Sequence, residues 1–433
     1  MKMTKVGLLF PGQGSQYVGM AKTLTERHAA ARRTFEEAGD CLGWDVLRLC
    51  LEGDIAALTA TANAQPAILT HSVAAYRAWT ELYGERPAVG GGHSLGEFSA
   101  LACSGVLSFA DAVRLVRHRG ELMQAAAGAA DGGMAAISGI DDDRLERLLE
   151  EIRSEGAVLV VAGVNSAHQR VVSGHRTALE RLARRIEGLP AKYTPLNVGA
   201  AFHSPFMADA AAQFRIRLED CVYGAPSWPV LSNVTGTPHA AEGGEASLIE
   251  RLTLQMTRPV QWAACMETMR AYGVERTVEL GPGSVLTRLW QSIRPDGDSE
   301  YSDDPRLLAK SDAAGIPRTA QTSRGDAGLA NFLPRCLGIA VATRNNRADA
   351  EAYRTGVLEP YRAVERLVAA NRENGEPPSE DQLRQGWDML LSVFETKGTE
   401  ASERRMRLTT LIKDTGTDNL FSVPKPNEGG FAS

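Results

Sequence analysis

The sequence predicts an α/β protein with a largely parallel sheet, followed by a helical extension. Short apolar stretches alternate with amphipathic helix patterns over about residues 5–295, which is typical of strand-helix-strand units. Inside that region, elements in the order β-α-β-β-α-β indicate an inserted subdomain. Helix patterns without strands follow residue 330. A chain of 433 residues has room for roughly three domains.

The first part of the large domain begins with an apolar strand at residues 6–10 and a glycine-rich loop. A helix is predicted over 66–83, because proline suits the first helical position and apolar residues recur at helical spacing. A second strand ends in the glycines of 89–92. Ser108 is predicted to cap a helix that runs through Arg119. This alternation favours a parallel arrangement of the strands.

The middle of the chain predicts a ferredoxin-like subdomain from its β-α-β-β-α-β order. The predicted strands are 134–137, 158–164, 170–173 and 193–198, and the predicted helices are 141–154 and 175–189. The large domain then resumes with a helix over 206–218, a strand at 228–232, a helical run ending near Gln255 and a last strand at 276–280. Such an insertion leaves a cleft between two lobes, where ligands commonly bind.

The composition changes after residue 295. The division predicted from it places the large domain at 1–132 and 199–295, the small subdomain at 133–198, a polar linker at 296–330, a helical extension at 331–421 and a disordered tail at 422–433. In the extension, Ser379 with Gln382 three residues later forms a capping-box pattern. Two interpretations of the extension stay open, a helical pack that braces the large domain and a docking surface for a synthase or carrier.

Charge and cysteine usage exclude several kinds of partner. A net charge of -6 gives no support to nucleic-acid or membrane-surface binding. No run of about 18 apolar residues predicts a membrane span. The six cysteines lie apart without C-x-x-C spacing, which indicates reduced thiols of a cytoplasmic protein and neither a disulfide framework nor a zinc site. We therefore expect no metal or organic cofactor.

The run Gly92-His93-Ser94-Leu95-Gly96 is the strongest chemical motif. It follows an apolar strand and precedes a helix, as a G-x-S-x-G nucleophile elbow requires in an α/β-hydrolase-like domain. Glycines on both sides let the backbone bend sharply and expose the serine hydroxyl. The alternative is a glycine-rich loop that holds an incidental serine.

Two further features could complete a site around this serine. The loop of residues 11–16 does not continue as a G-x-G-x-x-G or phosphate-binding motif, so we expect it to donate a backbone N–H to a developing oxyanion. The alternative is a simple strand-to-helix turn. His203 lies in a loop before a helix, where a general base can project into a cleft. His93 lies next to Ser94 at a sharp turn and is interpreted as structural.

Seven motifs in chain order together resemble the malonyl-CoA:acyl-carrier-protein transacylases and the acyltransferase domains of polyketide synthases. They are Phe10-Pro11-Gly12-Gln13-Gly14-Ser15-Gln16, Gly92-His93-Ser94-Leu95-Gly96-Glu97, Arg119-Gly120-x-x-Met123-Gln124, Gly163-Val164-Asn165-Ser166, Ala201-Phe202-His203-Ser204, Pro259-Val260-Gln261-Trp262 and Glu279-Leu280-Gly281-Pro282-Gly283. The resemblance covers about residues 5–295.

The resemblance implies an acyl-serine mechanism. Ser94, activated by His203, would attack the thioester of an acyl-CoA and pass the acyl group on. The backbone N–H groups of Gln13 and Leu95 would form the oxyanion hole. No aspartate stands out to orient His203, and the backbone carbonyl of Gln255 matches the family's orienting position, so a dyad is expected.

The resemblance also assigns the substrate pocket. Arg119 would bind a malonyl carboxylate through two parallel hydrogen bonds. The alternative for Arg119 is a salt bridge within the fold. Phe202 and Leu95 would disfavour a branched acyl group, and Asn165 would add a substrate contact.

The implied partners are malonyl-CoA and a phosphopantetheinylated acyl carrier protein, with a trans-acting role on a polyketide or nonribosomal peptide synthase. Two other functions stay open: an editing acyl-thioester hydrolase on the same scaffold, and a catalytically silent protein that docks carriers.

Overall fold

The structure is a computed structural model that describes residues 4–129, 131–239, 244–295, 297–302, 324–343, 350–374 and 377–423. The chain divides into two compact units. The first combines residues 1–38 with 45–311, and the second combines 39–44 with 312–433. Each unit is described by itself.

A four-stranded parallel sheet forms the centre of the first unit. Its strand order is β2-β1-β7-β8, with bounds β1 Val6–Phe10, β2 Val89–Gly92, β7 Arg276–Glu279 and β8 Asp298–Tyr301. All residues of β1 are buried, as expected for a central parallel strand with both faces covered. In β2, a Cβ on Gly90 would collide with the indole of Trp228, so the glycine lets that ring pack on the strand.

Thirteen α-helices are described in and beside this sheet and its inserted subdomain. Their bounds are α1 Lys22–Arg27, α2 Ala29–Leu42, α3 Val46–Glu52, α4 Ile55–Thr59, α5 Thr61–Tyr83, α6 Leu95–Ser104, α7 Phe109–Ala129, α8 Asp142–Arg153, α9 Arg176–Ile186, α10 Ala208–Glu219, α11 Gly244–Leu254, α12 Trp262–Ala271 and α13 Val285–Ile293. A short 3₁₀ turn, Pro205–Met207, precedes α10. The alternation of strands and helices confirms the predicted α/β class.

Helix α5 corrects one sequence prediction. It begins at Thr61, five residues before Pro66, so proline lies inside the helix and not at its first position. Proline has no N–H to give to the carbonyl of Ala62, four residues earlier. Arg117 of α7 donates to that carbonyl instead, with 3.1 Å between Nη1 and O. A side chain from a neighbouring helix therefore supplies the hydrogen bond that proline removes.

The predicted strand at 228–232 is also corrected, because it pairs with the sheet through one bridge between Val230 and Gly90. The N–H of Leu231 donates to Gly90, but the next residue, Ser232, already donates its N–H to the carbonyl of Thr237. The chain leaves the sheet edge at this turn. The apolar composition of 228–232 predicts a full strand, but the turn at Ser232 ends its pairing with β2 after one bridge.

The predicted linker at 296–330 contains the edge strand β8, which pairs parallel with β7. The sequence of β8, Asp-Ser-Glu-Tyr, is polar and lacks an apolar run, so its composition resembles a linker. Its Glu300 is paired with Arg276 of β7 at 3.1 Å. The next described element begins at residue 324, and 303–323 lie outside the described residues.

The inserted subdomain is a four-stranded antiparallel sheet with two helices, α8 and α9. The strand order is β4-β5-β3-β6, with bounds β3 Gly132–Ser138, β4 Leu159–Ser166, β5 Gln169–His175 and β6 Lys192–Pro195. This order confirms the predicted ferredoxin-like pattern. A single parallel bridge joins Gly163 of β4 to Val260, which fixes this subdomain against the large sheet domain.

The second unit is helical in its described part. Its bounds are α14 Arg324–Ala342, α15 Ala350–Tyr353, a π turn Arg354–Leu358, α16 Glu359–Asn374, α17 Glu380–Thr396 and α18 Ala401–Thr415. The predicted capping box of Ser379 and Gln382 begins α17. Phe421 stacks between Phe332 and Trp387, with ring centroids 4.9 and 4.7 Å away.

Lys397 is a buried charge in this unit, 4% exposed. Its Nζ donates to the carbonyls of Ala340 and Thr343, both at 2.8 Å, near the end of α14.

Most of the tail predicted at 422–433 lies outside the described residues, which end at 423. Among the described helices, none has a stretch long and apolar enough to cross a membrane.

Candidate active site

Ser94 lies at a sharp turn between β2 and α6. Its backbone has φ 52° and ψ −102°, a conformation that non-glycine residues rarely adopt. A Cβ on Gly92 would collide with the backbone of Gly96, and a Cβ on Gly96 would collide with the carbonyl of Phe10. Both glycines of the motif are therefore required for the turn, and the strained turn presents the Ser94 side chain.

His203 is within hydrogen-bond distance of this serine. Its Nε2 lies 2.8 Å from Ser94 Oγ, and its Nδ1 lies 2.7 Å from the backbone carbonyl oxygen of Gln255. Because a carbonyl only accepts, Nδ1 carries the proton and Nε2 accepts from the Ser94 hydroxyl. His203 also has a positive φ, 55°, which reflects the tight loop that directs the ring toward the elbow.

Burial, and after it the positive charge of Arg119, lower the pKa of His203 to about 3, against the opposing effect of the Gln255 carbonyl. A lowered pKa keeps the imidazole neutral at physiological pH. A neutral imidazole with its Nε2 lone pair toward a hydroxyl is the state that a general base needs.

Arg119 is the buried cation of the site, 1% exposed. Its guanidinium donates to Gln65 Oε1 at 2.9 Å, Gln255 Oε1 at 2.9 Å and Ser94 Oγ at 3.2 Å, and lies over the ring of Phe98. Burial lowers its pKa to about 10, so it stays charged near neutral pH. No salt bridge to Arg119 is found within the described ranges, so its close partners there are neutral groups. The alternative of a structural salt bridge gains no support.

The two backbone groups predicted for the oxyanion hole lie beside the elbow. Leu95 is the first residue of α6, so its N–H has no partner within the helix. Gln13 follows Gly12, where a Cβ would collide with the carbonyl of His93. The loop after β1 therefore lies directly against the turn that carries Ser94. The side chain of Gln13 donates to Thr61 Oγ1 at 3.2 Å.

Asn165, predicted to contact the substrate, makes two hydrogen bonds within the protein. Its Oδ1 lies 2.9 Å from His93 Nε2, and its Nδ2 donates to Gln169 Oε1 at 3.0 Å. Both polar groups of the amide thus have protein partners, so Asn165 links the small subdomain to His93. His93 has a structural position, as predicted. Phe202 is buried immediately before His203, and the Leu95 side chain is also buried.

Sequence reasoning missed the polar residues that hold the elbow. Asn233 accepts from the Ser94 N–H at 2.6 Å and donates through Nδ2 to the Gly92 carbonyl at 2.7 Å. The backbone N–H of Asn233 donates to the buried carboxylate of Glu97 at 3.1 Å. Asn233 lies 139 positions from Ser94 and 136 from Glu97 along the chain, so no local pattern signals that these residues act together.

The acyl transferase domain family matches residues 8–305. A malonyl CoA-acyl carrier protein transacylase of Bacillus subtilis is 45% identical over 291 residues, which are 67% of this chain and 72% of that protein.

Solved structures agree in fold. The crystal structure of a malonyl-CoA:acyl carrier protein transacylase from Xanthomonas oryzae superposes with a TM-score of 0.68 at 38% identity, covering 72% of this chain and 99% of that one. A malonyl-transacylase in complex with its type II PKS acyl-carrier protein superposes with a TM-score of 0.67 at 35% identity, covering 71% of this chain and 99% of that one. The chain described here belongs to the acyl transferase domain family.

Proposed function

We propose that this protein transfers a malonyl group from malonyl-CoA to the phosphopantetheine thiol of an acyl carrier protein, through an acyl group held on Ser94. The observation that carries this proposal is a buried guanidinium, that of Arg119, 3.2 Å from the nucleophilic oxygen. Keeping a cation out of water costs free energy, which an anionic acyl group offsets when it binds.

The first half-reaction forms the acyl-serine. Ser94 Oγ attacks the thioester carbonyl while its proton passes to His203 Nε2 over the 2.8 Å hydrogen bond. The N–H groups of Gln13 and Leu95 stabilise the oxyanion, and the loss of one such donor typically costs about 3 kcal/mol of barrier. The tetrahedral intermediate then collapses, and the departing CoA thiolate takes the proton from His203.

The second half-reaction returns the enzyme to its starting state. The carrier's thiol gives its proton to His203 Nε2 and attacks the acyl-serine carbonyl, and Ser94 leaves and recovers its proton from His203. The Gln255 carbonyl stabilises the imidazolium in both steps, at 2.7 Å from Nδ1. This neutral carbonyl orients the ring in the place where a triad would have a carboxylate, so Ser94 and His203 act as a dyad.

Arg119 selects the acyl group and also affects the base. A malonyl carboxylate can accept two parallel hydrogen bonds from the guanidinium in exchange for its bond to Ser94, while Gln65 and Gln255 continue to accept from it. The bound malonyl carboxylate offsets the positive charge of Arg119, which lowers the pKa of His203. Binding of a charged acyl group therefore makes His203 a stronger base, whereas an acetyl group leaves it weak.

The relatives support the choice of substrate and partner. Those named above are malonyl CoA-acyl carrier protein transacylases, and one solved relative is described in complex with its acyl-carrier protein. We further propose that the protein acts in trans for a polyketide or hybrid lipopeptide synthase. The helical unit beyond the family match either braces the chain or docks a carrier or synthase. We place the reaction in the cytoplasm, since the six cysteines are thiols.

A turnover experiment tests the proposal. The protein is incubated with labelled malonyl-CoA, acetyl-CoA or longer acyl-CoAs, with and without holo-carrier protein, and acyl-enzyme and acyl-carrier are measured. We expect acyl-enzyme from malonyl-CoA and release that depends on the carrier. Release to water at the same rate with or without carrier would instead support an editing hydrolase. Absence of acyl-enzyme with every thioester would support a silent docking protein.

A further inference from the structure

Glu97 is a buried carboxylate that the proposed reaction does not use. It lies on the first turn of α6, three residues after Ser94, and is 0% exposed. Its Oε1 accepts from His239 Nε2 at 2.7 Å. Its Oε2 accepts from Gln255 Nε2 at 2.6 Å and from the N–H of Asn233 at 3.1 Å. Three donors on elements far apart in the chain thus meet at one side chain.

The contact with Gln255 fixes the orientation of an amide. Gln255 Nε2 donates to Glu97 and to the Ser94 carbonyl at 2.9 Å. With its nitrogen on that side, the amide presents Oε1 to Arg119 Nη2, also at 2.9 Å. The backbone carbonyl of the same residue orients His203. One residue therefore holds both the general base and the cation that receives the acyl carboxylate.

We infer that Glu97 is a positioning residue for acyl transfer, which fixes Gln255 so that His203 and Arg119 are oriented together, and that His239 completes its hydrogen bonding. This inference rests on the proposed function. Glu97 does not touch the reacting atoms and acts through Gln255. Its negative charge also favours the charged form of Arg119 by raising the pKa of that guanidinium.

A carboxylate is required because both of its oxygens only accept. Glutamine at position 97 would have one oxygen and one NH₂ group. Turned toward Gln255 and Asn233, the new NH₂ meets two donors. Turned toward His239, it requires the imidazole to accept at Nε2 and to carry its proton on Nδ1, a buried nitrogen without a hydrogen-bond partner among the described residues. The cost is an unmade hydrogen bond in a buried site, and the Gln255 amide can relieve it by turning away from Glu97 and Arg119.

His239 offers a milder test of the same link. Leucine at this position removes the donor to Glu97 Oε1, so the carboxylate loses one of its anchors. Glutamine keeps an N–H that can donate to the same oxygen. The two substitutions therefore separate the hydrogen bond from the bulk of the side chain.

The experiment measures the ratio of Ser94 acylation rates with malonyl-CoA and acetyl-CoA. Because both rates come from the same sample, a partly unfolded variant gives the same ratio as a fully folded one. We expect Glu97→Gln to lower the ratio about tenfold and to slow acylation by both thioesters, as the loss of a charge-assisted bond predicts. His239→Leu should lower the ratio, and His239→Gln should restore it to within about twofold of the wild type.

Glu279→Gln is the matched control. Glu279 is another buried carboxylate, and its oxygens accept from the N–H groups of Leu286 and Thr287 at the start of α13. Its substitution should lower the melting temperature and leave the ratio unchanged. The inference is overturned if Glu97→Gln and His239→Leu keep the wild-type ratio, or if Glu279→Gln lowers it equally. A wild-type protein that forms no malonyl-enzyme would overturn the proposed function itself.

Discussion

Substitution of Arg119 by alanine should convert a malonyl-selective site into one that scarcely distinguishes acyl groups. The bound carboxylate would lose two charge-assisted hydrogen bonds, each contributing about 1.5 to 3 kcal/mol. Part of that gain is already offset in the wild type, because Arg119 gives up its bond to Ser94 for those to the ligand. A net loss of about 2 to 4 kcal/mol remains, which corresponds to about 30- to 700-fold in the malonyl:acetyl ratio of kcat/KM.

Rapid-quench acylation followed by intact-mass measurement gives both rates. Arg119→Lys should lie between wild type and alanine, since an ammonium cannot make the two parallel bonds of a guanidinium. Arg117→Ala is the matched control on the same helix, because Arg117 bonds to the Ala62 carbonyl and Glu121 and makes no described contact with Ser94. An Arg119→Ala enzyme with the wild-type ratio would refute the assignment of this guanidinium as the carboxylate ligand.

Three further predictions concern the base, the elbow and the helical unit. Because the pKa of His203 is lowered to about 3, the imidazole stays neutral as the pH falls. The kcat/KM for acylation should therefore stay level from pH 7 to about pH 5, where an ordinary histidine of pKa about 6.5 would be mostly protonated. A decline in kcat/KM centred near pH 6.5 would contradict the burial argument. Gly96→Ala should abolish acylation or soluble expression, because its Cβ would collide with the Phe10 carbonyl, and an active variant would show that the elbow can relax. Lys397→Met should leave the carbonyls of Ala340 and Thr343, at the end of α14, without their donor, and lower the unfolding free energy of the second unit by about 1 to 3 kcal/mol in chemical denaturation. Arg384→Ala, which breaks an exposed pair with Glu380, should change that free energy by less than about 1 kcal/mol.

The features predicted well from the sequence are those with local causes. The strand at 6–10 is an apolar run of the right length, the elbow is a five-residue pattern, and the capping box of Ser379 requires a spacing of three residues. The β-α-β-β-α-β order of the small subdomain also predicts its ferredoxin-like sheet. In each case the physical determinant lies within a short window of the chain.

The features that were missed depend on tertiary contacts. Pro66 is accommodated inside α5 because Arg117, on another helix, bonds to the carbonyl that proline leaves unpaired. The polar strand β8 forms because an edge position beside β7 needs no apolar face. Glu97 meets Gln255 across 158 positions and Asn233 across 136, so no pattern in the sequence connects them. Asn165 contacts His93 across 72 positions, between the small subdomain and the elbow, so this hydrogen bond also has no local signal in the sequence.

The most direct test of the account is the site and identity of the acyl adduct. The protein is mixed with malonyl-CoA in the absence of carrier, quenched in acid, digested and mapped by mass spectrometry, alongside Ser94→Ala. We predict one malonyl group on the peptide that contains Ser94, none in the variant, and loss of the adduct on addition of holo-carrier protein. A malonyl adduct on another residue, or an undiminished adduct in Ser94→Ala, would contradict the central claim that the strained elbow carries the acyl group.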